Sequence, residues 1–137
     1  MNLQEFVSRY KGRKVDFDGA FGAQCVDLAR QYFKDVWGVP QPEGVIGARD
    51  FFFQHESRSR QKEYMDCIPY RMKGQIIPEG AVVIFNASAT NEYGHIGICL
   101  SSDTETIQLF EQDGFKQDGA KITPWTYNRV AGWLIKK

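Results

Sequence analysis

The sequence is poor in the residues that several common protein classes depend on. Three cysteines, Cys25, Cys67 and Cys99, are too few and too far apart for a disulfide framework, and an odd number leaves at least one thiol free. No CxxC pair is present, which argues against a zinc site built on thiolates. There is no surplus of charge: Lys+Arg and Asp+Glu are both 17. Nothing in that balance points to nucleic acid or to an anionic membrane surface, so binding must depend on a local site. No apolar run approaches the ~20 residues of a membrane span, so membrane insertion is not expected. Residues Met1 to Phe6 lack a basic region followed by an apolar stretch. Synthesis in the cytoplasm without a secretory signal is therefore expected, with delivery by other means. There are only two histidines, so a histidine-dependent chemistry has few places to reside.

What the chain does have is apolar content of 42% and aromatic content of 14%, enough for one folded domain over residues 1–137. Leu3, Phe6, Val7 and Tyr10 share a helical face, predicting a helix over residues 2–11 that ends at Gly12. Leu28, Ala29, Tyr32, Phe33, Val36 and Trp37 predict a second helix closing near Gly38, and Pro40 and Pro42 an extended connection after it. Residues 47–54 suit one or two further helical turns. The polar run 55–63 reads as a solvated loop or helix end. Buried-strand runs follow at 81–85, 94–100, 106–111 and 130–135. Helices first and strands afterwards is an α+β order, with helices on one face of an antiparallel sheet.

The stretch Asp16-Phe17-Asp18-Gly19-Ala20-Phe21-Gly22-Ala23-Gln24-Cys25-Val26-Asp27 carries most of the chemistry. Cys25 stands where a Gly-rich loop becomes a helix, and the free amide hydrogens and positive dipole of a helix start favour a thiolate. Such a nucleophile needs a base and a group to orient it. His55 lies in the polar run and reads as a surface residue; His95 opens a strand between Gly94 and Ile96. A three-residue loop, Ser102-Asp103-Thr104, would set Ser101 opposite Glu105 and His95 opposite Glu111, on one sheet face. Asp113 would share that face if the strand continued. Gln24 offers a side-chain donor beside the Cys25 backbone N–H, as an oxyanion site requires. Cys67 and Cys99 read as packing, and Trp125, after Pro124, as a groove wall in a loop. The alternative is a buried thiol, a hydrogen-bonded structural histidine and a surface carboxylate.

Asp16, Asp18 and Asp27 form a second constellation. Asp-x-Asp-Gly resembles the start of an oxygen-ligand loop for Ca²⁺, with carbonyls of Ala20 and Gly22 able to complete the shell. It is not an EF-hand, because no Glu closes a loop of that length. An Asp/Gly turn with a carboxylate at a helix start is the plainer reading. Three carboxylates near a thiolate would oppose it unless a cation neutralised them, which favours the metal.

The run Asp16 to Leu28, the Gly-His-Ile-Gly-Ile at 94–98, the Glu-Gln-Asp at 111–113 and the closing Val-Ala-Gly-Trp-Leu-Ile together resemble the CHAP domain of bacteriophage endolysins, the cysteine, histidine-dependent amidohydrolase/peptidases. The resemblance implies a papain-like fold of the NlpC/P60 type that cuts amide bonds in the peptide part of peptidoglycan, as an N-acetylmuramoyl-L-alanine amidase or a cross-bridge endopeptidase. It implies Cys25 as nucleophile, His95 as base, Glu111 as the group orienting the imidazole and Gln24 as the glutamine before the cysteine. It also implies Ca²⁺ on Asp16, Asp18 and Asp27 with backbone oxygens of Ala20 and Gly22. A monomer acting on the cell wall after release from the host is the corresponding expectation. Many members carry asparagine where this chain has Asp113, and Gly-Asp where it has Gly80-Ala81. Two other functions stay open on the residues alone: a cysteine peptidase or transpeptidase with another substrate, and a non-enzymatic calcium-stabilised binding module.

Overall fold

A computed structural model describes residues 1–137. Asn2 accepts a hydrogen bond from the Glu5 N–H while Glu5 accepts one from the Asn2 N–H, a reciprocal cap that starts α1, Leu3–Tyr10. Helix α2, Cys25–Tyr32, buries Leu28, Ala29 and Tyr32 and runs on through a π-helical turn, Phe33–Trp37. Gly38 stops it in the left-handed conformation. A short α3, Asp50–Phe53, a 3₁₀ turn at His55–Ser57 and α4, Ser59–Tyr64, follow.

The strands are β1 (Met65–Pro69), β2 (Val82–Phe85), β3 (His95–Ser102), β4 (Thr106–Glu111), β5 (Lys121–Thr126) and β6 (Val130–Lys136). They form one antiparallel sheet in the order β1-β6-β2-β3-β4-β5. Helices before a sheet is the α+β arrangement that the order of apolar patterns predicts. Both faces of the sheet are apolar. Val82, Ile84, Ile96, Ile98 and Phe110 meet Phe6, Leu28, Ala29, Tyr32 and Phe33 under the helices. Val83, Phe85, Cys99, Ile107, Leu109 and Trp133 pack together on the other face. This double burial explains why β2 reads as an unbroken apolar run rather than an alternating one.

Three expectations need correction. The run 55–63, expected as a solvated loop or helix end, forms a 3₁₀ turn and most of α4, and three of its residues, His55, Arg58 and Gln61, are buried. His55, expected at the surface, is buried; its Nδ1 meets the Gln61 amide at 2.8 Å, and that amide also donates to the Phe51 carbonyl at 2.7 Å. Burial lowers the His55 pKa, which suits a neutral ring accepting from Gln61. Buried Arg58 donates to the Gly44 carbonyl at 2.8 Å and to Gln61 Oε1 at 2.7 Å. A chain segment this polar is buried because its polar groups satisfy one another. Finally, two edge strands have no strong sequence signal. β1 is only partly buried, and β5 alternates half-buried and exposed residues and contains Pro124, which an edge strand tolerates.

Candidate active site

Cys25 begins α2 and is half-buried. The preceding Gln24 keeps an extended backbone; its N–H donates to the Asp27 carboxylate at 2.9 Å, and its carbonyl accepts from the Asp27 N–H at 3.1 Å. This bracket fixes the first helical turn. The Gln24 side chain is exposed and lies against Gly114 in the loop after β4. No carbonyl of the protein accepts the Cys25 N–H, which leaves that donor free at the helix start.

His95 opens β3, opposite Phe85 of β2 rather than Glu111. Glu111, the last residue of β4, pairs with Gly97. The expected partnership nevertheless exists, because His95, Gly97 and Glu111 share one sheet face, and His95 Nε2 lies 3.2 Å from Glu111 Oε1. A β-bulge makes this possible. Ser102 pairs with Ile107 and Ser101 with Gln108; beyond Leu100 the register shifts, so that Cys99 pairs with Leu109. Without the extra residue Glu111 would lie opposite Ile98 and point to the helical face. Gly97 completes the arrangement. A Cβ there would come within 2.7 Å of the Leu109 side chain and 3.1 Å of Glu111 Cβ, so a larger residue would press on the carboxylate as it reaches His95.

Two residues support the pair from β5. Thr123 Oγ1 donates to Glu111 Oε2 at 3.3 Å and accepts from the Trp125 indole N–H at 2.9 Å. The Trp125 ring stacks on the imidazole, with centroids 4.9 Å apart and planes 14° apart, and its centroid lies 4.7 Å from that of Phe85. Trp125 is a groove wall as expected, although it stands in a strand rather than a loop. Thr123 was not evident from the sequence. A Thr-x-Trp spacing of two on an edge strand, which aims both side chains to one face, was the available sign.

Burial works against a charge on His95, but hydrogen bonds and charges of Cys25 and Glu111 outweigh it and push its pKa up to about 9. With Nε2 facing Glu111, Nδ1 is the nitrogen left for the thiol. The raised pKa favours the imidazolium, the form that can act as counter-ion to a thiolate. Burial pushes the Cys67 and Cys99 thiols up to about 11, so neither resembles a nucleophile. Asp113 does not continue the strand. Its carboxylate accepts from the Phe115 N–H at 2.8 Å and closes a turn, and the residue lines the groove beside His95. A polar groove of about 360 Å³ adjoins His95 and Glu111, walled also by Asn86, Asn91, Phe115, Trp125 and Arg129.

The chain matches the family model of the CHAP domain over residues 14–113. It belongs to the CHAP family. The CHAP fold here is similar to that of several solved structures, one of them an endolysin. Wild-type endolysin LysIME-EF1 is 20% identical with a TM-score of 0.68, the match covering 98% of this chain and 64% of that one. Ly7917 is 18% identical with a TM-score of 0.67, over 99% of this chain and 62% of that one. Ly7917 with the hydrolyzing product of MDP is 17% identical with a TM-score of 0.69, over 96% and 60%. The CHAP chain thus spans less than two thirds of the length of these structures.

The acidic residues of the loop also converge. Asp16, Asp18 and Asp27 each offer one carboxylate oxygen within 4.8 Å of the others. Asp16 accepts from the Gly19 N–H at 3.0 Å and Asp18 from the Ala20 N–H at 2.9 Å through one oxygen each, leaving the second free. The carbonyls of Ala20 and Gly22 accept no protein hydrogen bond. Burial, and then the charges of Asp18 and Asp16, raise the Asp27 carboxyl to about 6 despite the Gln24 N–H that opposes them. This donor set of hard oxygens fits a Ca²⁺ ion.

Proposed function

We propose that this CHAP domain hydrolyses an amide bond in the peptide part of bacterial peptidoglycan. The observation that carries the reading is the meeting of Cys25, at a helix start, with a His95 imidazole whose other nitrogen is held 3.2 Å from Glu111. That constellation is the one an activated thiol nucleophile needs. In the proposed reaction the Cys25 thiolate attacks the amide carbonyl carbon, and the carbonyl electron pair moves to oxygen. The Cys25 N–H and the Gln24 side chain receive that oxyanion. The His95 imidazolium gives its proton to the leaving nitrogen as the C–N bond breaks, leaving a thioester on Cys25. Neutral His95 then takes a proton from water as the water adds to the thioester. Collapse releases the carboxylic acid and restores the thiolate. Glu111 keeps the imidazole oriented through both halves.

Asp16, Asp18 and Asp27, with carbonyls of Ala20 and Gly22, would hold Ca²⁺, which would neutralise the loop's charge when bound. The groove beside His95 is polar, as a peptide substrate with many amide groups requires. Either an N-acetylmuramoyl-L-alanine amide or a cross-bridge peptide bond meets these requirements, and the protein reaches the wall after release from the host. The test is mass spectrometry of purified walls digested by the wild type and by Cys25→Ala. New amine termini in the wild-type digest, absent with the variant, support the proposal and identify the bond. Fragments released equally by both proteins refute it.

A further inference from the structure

The loop before the nucleophile has a problem of hydrogen bonding. Val15 and Ala23, near its two ends, are 6% and 3% exposed, so their peptide groups cannot turn to water. No strand runs beside them, because β4 ends at Glu111. Two glutamine side chains stand in for the missing strand. Gln112 is fully buried; its Oε1 accepts from the Val15 N–H at 2.8 Å, and its Nε2 donates to the Val15 and Gln24 carbonyls, both at 2.8 Å. Gln117 repeats the pattern. Its Oε1 accepts from the Ala23 N–H at 3.1 Å, and its Nε2 donates to the Ala23 carbonyl at 3.1 Å and to the Gly114 carbonyl at 2.7 Å. Gln117 itself holds a left-handed backbone, φ 54°, and Gly22 leaves it room, since a Cβ there would lie 2.8 Å from Gln117 Oε1.

A carboxamide carries the donor and acceptor of a peptide group, so each glutamine pairs with one residue as a strand would. From Lys14 to Gln24, every hydrogen bond to the chain beyond Asp27 comes from these two side chains. The remaining bonds of the loop, from the Gly19, Ala20 and Gln24 N–H groups, stay within residues 16–27. Both glutamines follow Glu111 within six residues of sequence. One short segment therefore holds the carboxylate that orients His95 and the amides that grip the residues before Cys25.

We propose that Gln112 and Gln117 are positioning residues that align the Cys25 thiol with His95 by clamping the nucleophile loop to the end of β4. They touch neither substrate nor thiol. Their effect is on the distance and angle between two reacting groups, to which rates are far more sensitive than binding is. The proposal rests on the Cys25–His95 reading above and refines it.

The test uses Gln117→Met and Gln112→Met, which keep length and remove the amide. Gln117 is only partly buried, so its variant keeps the test available if loss of the Gln112 amide prevents folding. Well below each melting temperature, the variants are expected to lose kcat on purified walls by on the order of tenfold or more, with KM held within about twofold. Alkylation of Cys25 by iodoacetamide should slow in parallel. A merely structural role would lower the melting temperature and leave kcat and the alkylation rate of the folded protein unchanged; that result overturns the proposal. Alkylation needs no wall substrate, so it separates the two failures. A wild type that alkylates fast but releases no wall fragments defeats the peptidoglycan reading alone. Wild-type kcat and alkylation in the folded methionine variants defeat the clamp alone.

Discussion

Glu111→Gln removes a single charge from the site and leaves its shape. The carboxamide keeps an acceptor oxygen for His95 and loses the negative charge that lay 3.2 Å from Nε2. In the wild type, burial lowers the His95 pKa, but Cys25 and Glu111 more than reverse it and hold it at about 9 rather than 6.5. That difference favours the imidazolium by about 3 kcal/mol. Cys25 and Glu111 share the effect, and both sit in a site where His95 is only 14% exposed, so screening by water is weak. Removing the Glu111 charge leaves burial less opposed and so lowers the His95 pKa. Catalysis needs the imidazolium as acid, so the alkaline limb of kcat/KM follows this group. The variant's alkaline limb is expected to move down in pH from about 9, with kcat at the optimum reduced on the order of tenfold through a less well oriented ring. The assay is wall hydrolysis across pH, with Cys25 alkylation in the same buffers. Coincident alkaline limbs for the two proteins would refute the argument that Glu111 sets the charge of His95.

Other outcomes follow from the same geometry. Because the folded His95 pKa is raised, its contribution to stability is complete below pH 6.5 and lost as pH rises through about 9. The urea midpoint should therefore fall over that window in the wild type and change less in His95→Asn. Gly97→Ala places a methyl group 2.7 Å from the Leu109 side chain and 3.1 Å from Glu111 Cβ. It should cost about 1–3 kcal/mol in denaturant unfolding and lower kcat, as overpacking displaces Glu111. Asp27→Asn keeps an oxygen for the Gln24 N–H and removes one of the three clustered charges. It should raise the melting temperature in chelator and abolish the gain expected from Ca²⁺ in the wild type, about 2.7 kcal/mol at a hundredfold excess over Kd. A wild type melting at one temperature in Ca²⁺ and in chelator contradicts the metal assignment.

The legible part of the fold was the part set by local pattern. The Cys25 helix, the loop that feeds it and the strands at His95 and Glu111 all have strong periodicity or turn chemistry. The His95–Glu111 contact was reached by a register that is wrong in detail: the bulge at Leu100 shifts the pairing yet returns both residues to one face. A bulge depends on packing around the strand and leaves little trace in sequence. His55 was misplaced for a related reason. Its neighbours are polar, and only the fold reveals that Gln61 and Arg58 satisfy one another while excluding water. Thr123, Gln112 and Gln117 act through contacts with residues distant in sequence, and a polar side chain in a loop or on an edge strand gives no advance sign of its partner. β1 and β5 were missed because edge strands lack the continuous apolar run of central ones.

The central claim, that Cys25 is the nucleophile, is tested most directly by measuring modification and activity on one sample. Limited iodoacetamide is added, peptide mapping gives the fraction of each cysteine alkylated, and the same sample is assayed on purified walls. Activity is expected to fall one for one with carboxamidomethylation of Cys25 while Cys67 and Cys99, with thiols raised to about 11, stay unmodified. Fragment release that persists when Cys25 is fully alkylated would contradict the account.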